Sequence, residues 1–306
     1  MFSCVLGWPV TCDLAVFTVV YPAAVPFVPD LLAGLARQSD DRFALIVALD
    51  LVEPGRFAAL ARDFQLPEME VHVVGGTPVE IRNKVLQDVC RRFSKVVLQD
   101  ADDVPRHNRV AIQRAALNDA DVTASALALV DVNGRSLNRT FRAPSTPVDT
   151  FLARMNVFGF GNSAYRSDVL AECLPVPGSL AAMDWFVATR AHLAGAVLRT
   201  SDVVIADYRQ HGFSAAPVLV PLTLDDLGYG VTVCQKHLAA IRQVPAVGTA
   251  SWVAPRLDEL QRFQWWLRQD ERNGLRYLEA LNEQQDRVFA WWEYVASGSL
   301  EHMWTA

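Results

Sequence analysis

The sequence lacks the features that mark several large classes of protein. It contains no block of basic residues, and its formal net charge is −6 at pH 7, so we expect no nucleic-acid partner. Its five cysteines include no C-x-x-C pair and no zinc spacing. Their scatter suggests reduced thiols in a cytoplasmic compartment. The five are Cys4, Cys12, Cys90, Cys173 and Cys234.

Long apolar runs are also missing. The stretch from Leu14 to Val28 is apolar, but Pro22 and Pro26 interrupt it and it falls short of the ~20 residues that span a bilayer. The apolar start from Met1 to Val10 has no basic region and contains Pro9, so we predict no signal peptide. We expect a cytoplasmic protein, and peripheral contact with the inner face of the membrane stays open.

What is present is a regular alternation of strands and helices over the first hundred residues. Four short apolar runs read as buried strands, Ala15 to Tyr21, Phe43 to Asp50, Glu70 to Gly75 and Lys95 to Asp100. Amphipathic segments lie between them, such as "PVEIRNKVLQDVCRRF". The pattern predicts an α/β fold with a mostly parallel sheet flanked by helices.

The second half is less regular. "DVNGR" (Asp131 to Arg135) predicts a hairpin turn, and Ala181 to Ala196 predicts a helix. "DVVIADYRQH" predicts a strand with a polar end. Ala254 to Val295 predicts a long helical stretch, with Asn273-Gly274 as its break.

The stretch "KVVLQDADDVP" places three carboxylates, Asp100, Asp102 and Asp103, directly after a buried strand. Ligands of open α/β sheets bind beyond the carboxyl ends of the strands, where Asp50 should also lie. Two carboxylates in D-x-D spacing can hold a hard divalent cation, which in turn can hold phosphates. The alternative is a solvated Asp-rich turn. Within a metal site we expect Asp100 and Asp102 to act, and a role for Asp103 beyond capping or orienting the turn stays open.

Other polar residues stand at element ends and each has an ordinary explanation. Asp184 starts a helix, where it would favour the helix dipole. His211 closes a strand and could be structural, although imidazole also joins carboxylates on divalent metals. Arg82 and Asn83 begin the third helix, where an arginine could contact a phosphate or simply be solvated.

Taken in order, these residues resemble family-two glycosyltransferases of the GT-A fold, within the nucleotide-diphospho-sugar transferase superfamily. The resemblance covers about residues 15 to 215. It is carried by "VVYP", "LARQSDDRF", Asp50, the "RN" of Arg82 and Asn83, "DADD", "MDW" with Asp184, and "YRQH" ending at His211.

The resemblance implies a nucleotide-diphosphate sugar donor and a saccharide or other hydroxyl acceptor. Pro22, Asp50, Arg82 and Asp100 would bind the donor, with Asp50 accepting from the nucleobase. Asp100, Asp102 and His211 would hold Mn²⁺ or Mg²⁺. Asp184 would be the catalytic base of an inverting, hexosyl-type transfer.

Two departures from the family pattern keep another possibility open. The second strand continues as "DLVEPG" instead of with a further Asp and a Ser, and Met183 stands where the family often has Glu. Asp184 is then the only carboxylate available as a base. The alternative is a non-catalytic sugar-nucleotide-binding or scaffold protein that keeps the fold.

Two other enzyme classes fit less well. "GFGNSA" (Gly159 to Ala164) is a partial dinucleotide-binding motif, but it comes late in the chain instead of after the first strand. A nucleotidyltransferase should have a glycine-rich, basic loop after the first strand, where this sequence reads "YPAAVPFVP".

We divide the chain into a catalytic domain, residues 1–220, and a helical C-terminal region, residues 221–306. The C-terminal region contains the pairs Trp265-Trp266 and Trp291-Trp292 at roughly helical spacing. We expect it to pack on the catalytic domain or on a second subunit, although tryptophan is also common in sugar-binding and membrane-interface surfaces. Acceptor specificity would lie between Leu129 and Phe158 and in this region.

Overall fold

The computed structural model describes residues 12–211, 216–244 and 251–305. The predictions for Met1 to Val10 and for Cys4 lie outside these residues. The described cysteines are free thiols, and Cys173 and Cys234 are buried. Within the described ranges, none of the helices has both the length and the apolarity that crossing a bilayer requires.

In this part of the chain, nine strands form one sheet. They are β1 Leu14–Val20, β2 Ala44–Leu49, β3 Met69–Val73, β4 Lys95–Asp100, β5 Val104–Pro105, β6 Val122–Val130, β7 Ser136–Phe141, β8 Ser163–Arg166 and β9 Leu198–Arg209. Their order is β3-β2-β1-β4-β8-β6-β9-β5, with β7 paired to β6. β1, β2, β3, β4, β6 and β9 run in one direction and the other three run against them.

The helices cover both faces of this sheet. They are α1 Val28–Ala36, α2 Pro54–Ala61, α3 Pro78–Arg92, α4 Arg109–Ala116, α5 Val148–Leu152, α6 Ser167–Glu172, α7 Met183–Leu193, α8 Leu224–Ile241, α9 Val253–Gln269, α10 Glu271–Asn282 and α11 His302–Thr305. Short 3₁₀ helices span Pro22–Phe27 and Gly298–Leu300. The predicted α/β class, with a mostly parallel sheet and a helical C-terminal extension, is confirmed.

β1 lies between β2 and β4 in the parallel half of the sheet, and every one of its residues is buried. Successive side chains point to opposite faces of a sheet. Leu14 and Val16 therefore join the core beneath α1, α2 and α4, while Ala15 and Phe17 join the core on the opposite face. Burial on both faces explains why this strand reads as a continuous apolar run instead of an alternating one.

The register of the parallel strands brings polar residues to one rim. Val20 of β1 pairs with Leu49 of β2, and Val19 pairs with Asp100 of β4. Asp50 and the residues after Asp100 therefore leave the sheet at the same edge. The hairpin turn predicted at residues 131–135 joins β6 to β7 at Gly134, whose φ is +79°.

The C-terminal region packs on the sheet domain through a shared hydrophobic core. The ring of His237 on α8 stacks on Trp185 of α7 with centroids 3.8 Å apart. Glu259 on α9 forms ion pairs with Arg154, at 2.9 Å, and with Arg256, at 2.8 Å. The domain division at residue 220 remains a prediction, while buried side chains on both sides of it belong to one cluster.

The predicted break at Asn273-Gly274 is wrong. The helices separate at Asp270, whose extended backbone and side-chain bond to the Arg272 amide start α10. Gly274 lies inside α10, where a Cβ would come 2.8 Å from a Leu224 methyl group. This glycine allows α10 to approach α8 closely. The helical prediction also extended too far, since α10 ends at Asn282.

Candidate functional site

The residues Asp100 to Asp103 form a tight turn after β4, called the acid turn below. Gln99 holds it from beneath, donating from Nε2 to the carbonyl oxygens of Asp100, at 2.7 Å, and Asp103, at 3.3 Å. Gln99 in turn accepts from the buried guanidinium of Arg109. The acid turn is therefore fixed by a polar network inside the core, which a solvated loop would not need.

The structure brings Asp102 and His211 together. His211 Nε2 lies 2.9 Å from Asp102 Oδ2, and the Tyr21 hydroxyl donates to the same oxygen at 3.1 Å. The His211 ring also stacks on Phe27, with centroids 5.5 Å apart. Sequence reasoning missed Tyr21 as a partner of the acid turn, although "VVYP" placed a tyrosine at the end of the first strand.

Asp103 has a defined place, which the sequence left open. It is buried, and its Oδ1 accepts from the backbone amide of Arg209 at 2.9 Å. Its Oδ2 is buried without a hydrogen-bond partner among the described residues. Asp103 thus ties the acid turn to Arg209 at the end of β9, two residues before His211.

Burial of these carboxylates disfavours their charged forms. Burial raises the pKa of Asp100 to about 7; the charge of Asp102 adds to the rise, and Arg82 opposes it. Burial and the charges of Asp102 and Asp100 raise the pKa of Asp103 well above its usual value. A cation bound at this position would favour the charged forms of these carboxylates and lower their pKa values.

The carboxylates of the acid turn and the imidazole of His211 are of the kind that bind divalent metals. Carboxylate oxygens and a neutral imidazole are suitable ligands, and the unpartnered Oδ2 of Asp103 shows spare acceptor capacity beside Asp100 and Asp102. In residues 12–211, 216–244 and 251–305, no three His, Cys, Asp or Glu side chains are already arranged to hold a metal ion. The chemistry fits, and binding would require side chains to reorient.

Asp184 lies at the start of α7 and is half-buried. Its Oδ1 accepts from the Trp185 amide at 2.8 Å. Burial raises the pKa of Asp184 to about 6, while the Trp185 amide, Arg82 and the Asn156 side chain oppose the rise. The carboxyl group is thus suited to exchange a proton near neutral pH.

Arg82 on α3 lies near enough to both Asp100 and Asp184 for its charge to act on them. Its positive charge lowers the pKa of both Asp100 and Asp184, and its guanidinium carbon lies 5.2 Å from the centroid of the Phe160 ring. Asn83 has a different role, because its side chain exchanges hydrogen bonds with the backbone of Val176, both at 2.8 Å. Of the predicted "RN" pair, only Arg82 faces the rim.

The other two predicted donor residues lie at the rim but further out. Asp50 follows β2, its amide bonds to the Val20 carbonyl at 2.9 Å, and it is half-exposed. Its side chain makes no hydrogen bond within the described part of the chain. Pro22 begins the 3₁₀ helix after β1 and is exposed. Neither contacts the acid turn through a hydrogen bond in the described residues.

The glycines of "GFGNSA" leave room for the carboxylates of the acid turn and for the ring of Trp291. A Cβ on Gly161 would lie 2.7 Å from Asp103 Oδ2 and 3.2 Å from Asp100 Oδ2. A Cβ on Gly159 would lie 2.5 Å from the ring of Trp291. This motif runs into β8, and close packing explains its glycines without a dinucleotide.

Arg209 in "YRQH" is a further residue that sequence reasoning missed. Its side chain is only 2% exposed, and Nη2 lies 2.8 Å from Asp30 Oδ2. Nε donates to the Asp102 carbonyl at 2.9 Å, and the guanidinium lies over the Phe27 ring at 4.7 Å. Arg209 therefore joins β9, α1 and the acid turn.

No family model and no curated protein sequence matches this chain. Among solved structures, it is similar to S. aureus TarS 1-349 in complex with UDP-GlcNAc, with 18% identity, a TM-score of 0.57, and coverage of 82% of this chain and 72% of that one. A further structure of S. aureus TarS is matched over 43% of its length.

It is also similar to the mannosyltransferase PcManGT from Pyrobaculum calidifontis in complex with GDP-Man and Mn²⁺. That match has 16% identity, a TM-score of 0.53, and coverage of 95% of this chain and 87% of that one. These similarities concern the fold, and they confirm the predicted GT-A nucleotide-sugar transferase fold.

Proposed function

We propose that this protein is a glycosyltransferase that moves a sugar from a nucleotide-diphosphate donor to a hydroxyl group of a saccharide or other acceptor. The observation that carries the proposal is the arrangement of the rim. His211 contacts the acid turn, and the charge of Arg82 acts on both Asp100 of that turn and Asp184, whose pKa is about 6. Solved structures of the same fold contain UDP-GlcNAc or GDP-Man, which supports a donor of this class.

The donor would lie along the rim from β2 to the acid turn. In this proposal Asp50, half-exposed and without a side-chain hydrogen bond in the described residues, accepts from the nucleobase, and Pro22 lines the same end. Asp100 contacts the ribose or the metal. Arg82 contacts the diphosphate, since a guanidinium can donate two parallel hydrogen bonds to phosphate oxygens.

Asp100, Asp102 and His211 would hold a divalent cation, Mn²⁺ or Mg²⁺. When bound, the cation would neutralise negative charge on the diphosphate leaving group. The Asp103 oxygen without a hydrogen-bond partner and the raised pKa of Asp100 support this assignment, because a bound cation would favour the charged form of both carboxylates.

Asp184 would act as the base of an inverting reaction. The acceptor oxygen forms a bond to the anomeric carbon as the bond from that carbon to the diphosphate oxygen breaks. Asp184 takes the acceptor's proton, and the diphosphate leaves with the bonding electron pair. Burial supports this role because it raises the pKa of the carboxyl group towards the pH at which it must accept a proton.

Donor binding can be tested by thermal unfolding of the protein with Mn²⁺ and a panel of nucleoside diphosphates and sugar nucleotides. A ligand present at 100 times its Kd should add about 2.7 kcal/mol to the free energy of unfolding. The panel member that binds should stabilise the protein in the presence of metal. If no member stabilises it, with or without metal, the donor site is contradicted.

Asp184→Asn tests the catalytic base. We expect this variant to bind the donor as the wild type does and to lose transfer, because the amide cannot accept the proton. Asp168→Asn is a matched control, since Asp168 is an exposed acid in the first turn of another helix, α6. Normal transfer by Asp184→Asn would exclude the role. Donor binding without transfer in the wild type would favour the non-catalytic alternative.

We also propose where the acceptor binds and which larger partners the protein has. Acceptor specificity would come from the segment between β6 and β8 and from the C-terminal region. Contact with the inner face of a membrane, and association of two copies through the C-terminal helices, are further hypotheses. Size-exclusion chromatography with light scattering tests the second, and sedimentation with lipid vesicles tests the first.

A further inference from the structure

The segment 289–296, called the C-terminal bridge below, inserts one side chain into the wall of the candidate site. Trp291 is only 7% exposed, although it belongs to the C-terminal region. Its ring packs against Phe141 of β7 with centroids 4.2 Å apart, and against Tyr208 of β9 at 5.8 Å. It fills the space that Gly159 leaves open.

Two hydrogen bonds connect Trp291 to the two sides of the site. Its indole Nε1 donates to the Tyr208 hydroxyl at 3.1 Å. Its carbonyl accepts from the Asn156 amide at 2.9 Å, in an isolated antiparallel bridge. Tyr208 stands three residues before His211, and the Asn156 side chain lies beside Asp184.

The C-terminal bridge is itself held firmly on its far side. Arg256 of α9 donates to the Val295 carbonyl at 2.9 Å, and Tyr277 of α10 donates to the Tyr294 carbonyl at 2.8 Å. The Phe289 amide donates to the Val218 carbonyl, also at 2.9 Å. Trp291 therefore projects from a fixed backbone, which is the requirement for a side chain that positions others.

We propose that Trp291 is a positioning residue for the transfer reaction: through Tyr208 and Asn156 it fixes the distance between the acid turn and Asp184. This inference rests on the proposed function. A single residue joins both sides of the site, so moving it changes the separation of the group that holds the leaving diphosphate and the group that takes the proton. Small misplacements of this kind reduce the rate of the chemical step more than ligand binding.

The test compares Trp291→Phe, Tyr208→Phe and the double variant with wild type. Phenylalanine at position 291 keeps a ring against Phe141 and Gly159 and removes the indole N–H, so the chain should still fold. We expect kcat for transfer, or for slow hydrolysis of the sugar nucleotide, to fall about 10- to 100-fold, with the KM for the donor within about twofold. The double variant should be no slower than the slower single variant, because both changes break the same bond.

Trp265→Phe is the matched control, since Trp265 also belongs to the C-terminal region but is 65% exposed. It should leave kcat and KM unchanged. A Trp291→Phe variant with wild-type kcat, or a double variant whose losses multiply, overturns the inference while leaving the proposed function intact. If the wild type neither binds nor hydrolyses any donor, the proposed function fails and the inference is overturned with it.

Discussion

At the scale of single residues, the acid turn is held in a state that its own charge opposes. Asp103 is buried with one unpartnered oxygen, and Asp100 has a raised pKa. Burial of these carboxyl groups does not stabilise the fold, so we interpret their position at the sheet rim as a sign of function. Its consequences for pH and for close packing can both be measured.

Asp100 should make the metal-free protein less stable as the pH rises, whereas His237, whose pKa burial lowers from 6.5 to about 3, acts in the opposite direction. The ordinary pKa of Asp100 is 3.8, and in the folded protein it is about 7. The folded state therefore binds the Asp100 proton more tightly than the unfolded state, and the contribution of Asp100 to stability falls between about pH 4 and pH 7. Asp184 contributes in the same direction up to about pH 6.

Chemical denaturation at a series of pH values, in the presence of EDTA, checks this. Relative to the wild type, Asp100→Asn should gain stability as the pH increases from 4 to 7. Asp168→Asn should not, because a hydrogen bond from Arg166 lowers the pKa of Asp168 in the folded protein. A difference between Asp100→Asn and the wild type that stays constant from pH 4 to 7 would contradict the raised pKa of Asp100.

Gly161→Ala should damage the acid turn specifically. The new methyl group would lie 2.7 Å from Asp103 Oδ2, so the carboxylate must move. We expect Mn²⁺ to stabilise this variant at least about tenfold less effectively, measured as the metal concentration that gives half the thermal shift. Gly178→Ala is the control, since nothing lies within 4 Å of its added carbon. Equal metal responses in the two variants would show that Gly161 does not position the carboxylates.

At the scale of elements, the end of β9 is the part that organises the rim. Arg209 donates to the carbonyls of Asp102 and Val132, both at 2.9 Å, and pairs with Asp30 of α1. His211 stands two residues after Arg209, so the position of this proposed metal ligand depends on how the end of β9 is anchored. The anchor consists of contacts between residues far apart in the chain.

Arg209→Met should therefore destabilise the protein by about 2–3 kcal/mol, because the carbonyl groups of Asp102 and Val132 and the carboxylate of Asp30 all lose a buried donor. Arg106→Met is a matched control, since Arg106 forms an exposed pair with Asp207 on the same strand and should cost less than about 1 kcal/mol. Urea unfolding of both variants measures the difference. Similar losses in the two would mean that the buried network contributes no more than a surface ion pair.

Several elements of this site could be predicted from the sequence, and others could not. Asp100 and Asp102 follow an apolar strand run, and strand ends on one rim are a general property of parallel sheets. Tyr21, Gly159 and Trp291 carry no comparable local signal, because their roles come from contacts between distant segments. Glycine often ends helices, so the sequence places the break at Gly274 instead of at Asp270. In the structure Gly274 lies inside α10 and allows it to pack closely on α8.

At the scale of the whole molecule, the C-terminal region and the sheet domain share one hydrophobic core. Phe263 of α9 lies 4.9 Å from Tyr277 of α10 and 4.8 Å from Trp304 of α11, measured between ring centroids. The C-terminal bridge then returns to the candidate site. The helices after residue 220 thus support the site as well as cover the sheet.

A chain truncated after Val244 should accordingly be insoluble or poorly folded. It would lose α9, α10, α11 and the C-terminal bridge, and would remove Trp291 from the buried ring of Phe141. Expression yield, size-exclusion chromatography and circular dichroism check this outcome. A truncated chain that is soluble, monomeric and active would contradict a supporting role for the region.

The most direct test of the central proposal is the metal-dependent release of nucleoside diphosphate from a panel of sugar nucleotides. The measurement compares wild type, Asp102→Asn and Asp184→Asn, each with Mn²⁺ and with EDTA. We predict release by the wild type from at least one donor with Mn²⁺, its loss in EDTA, and its loss in both variants. No release from any donor, or equal release in EDTA and by Asp102→Asn, would contradict the assignment of the acid turn as the site that holds a metal and a sugar-nucleotide diphosphate.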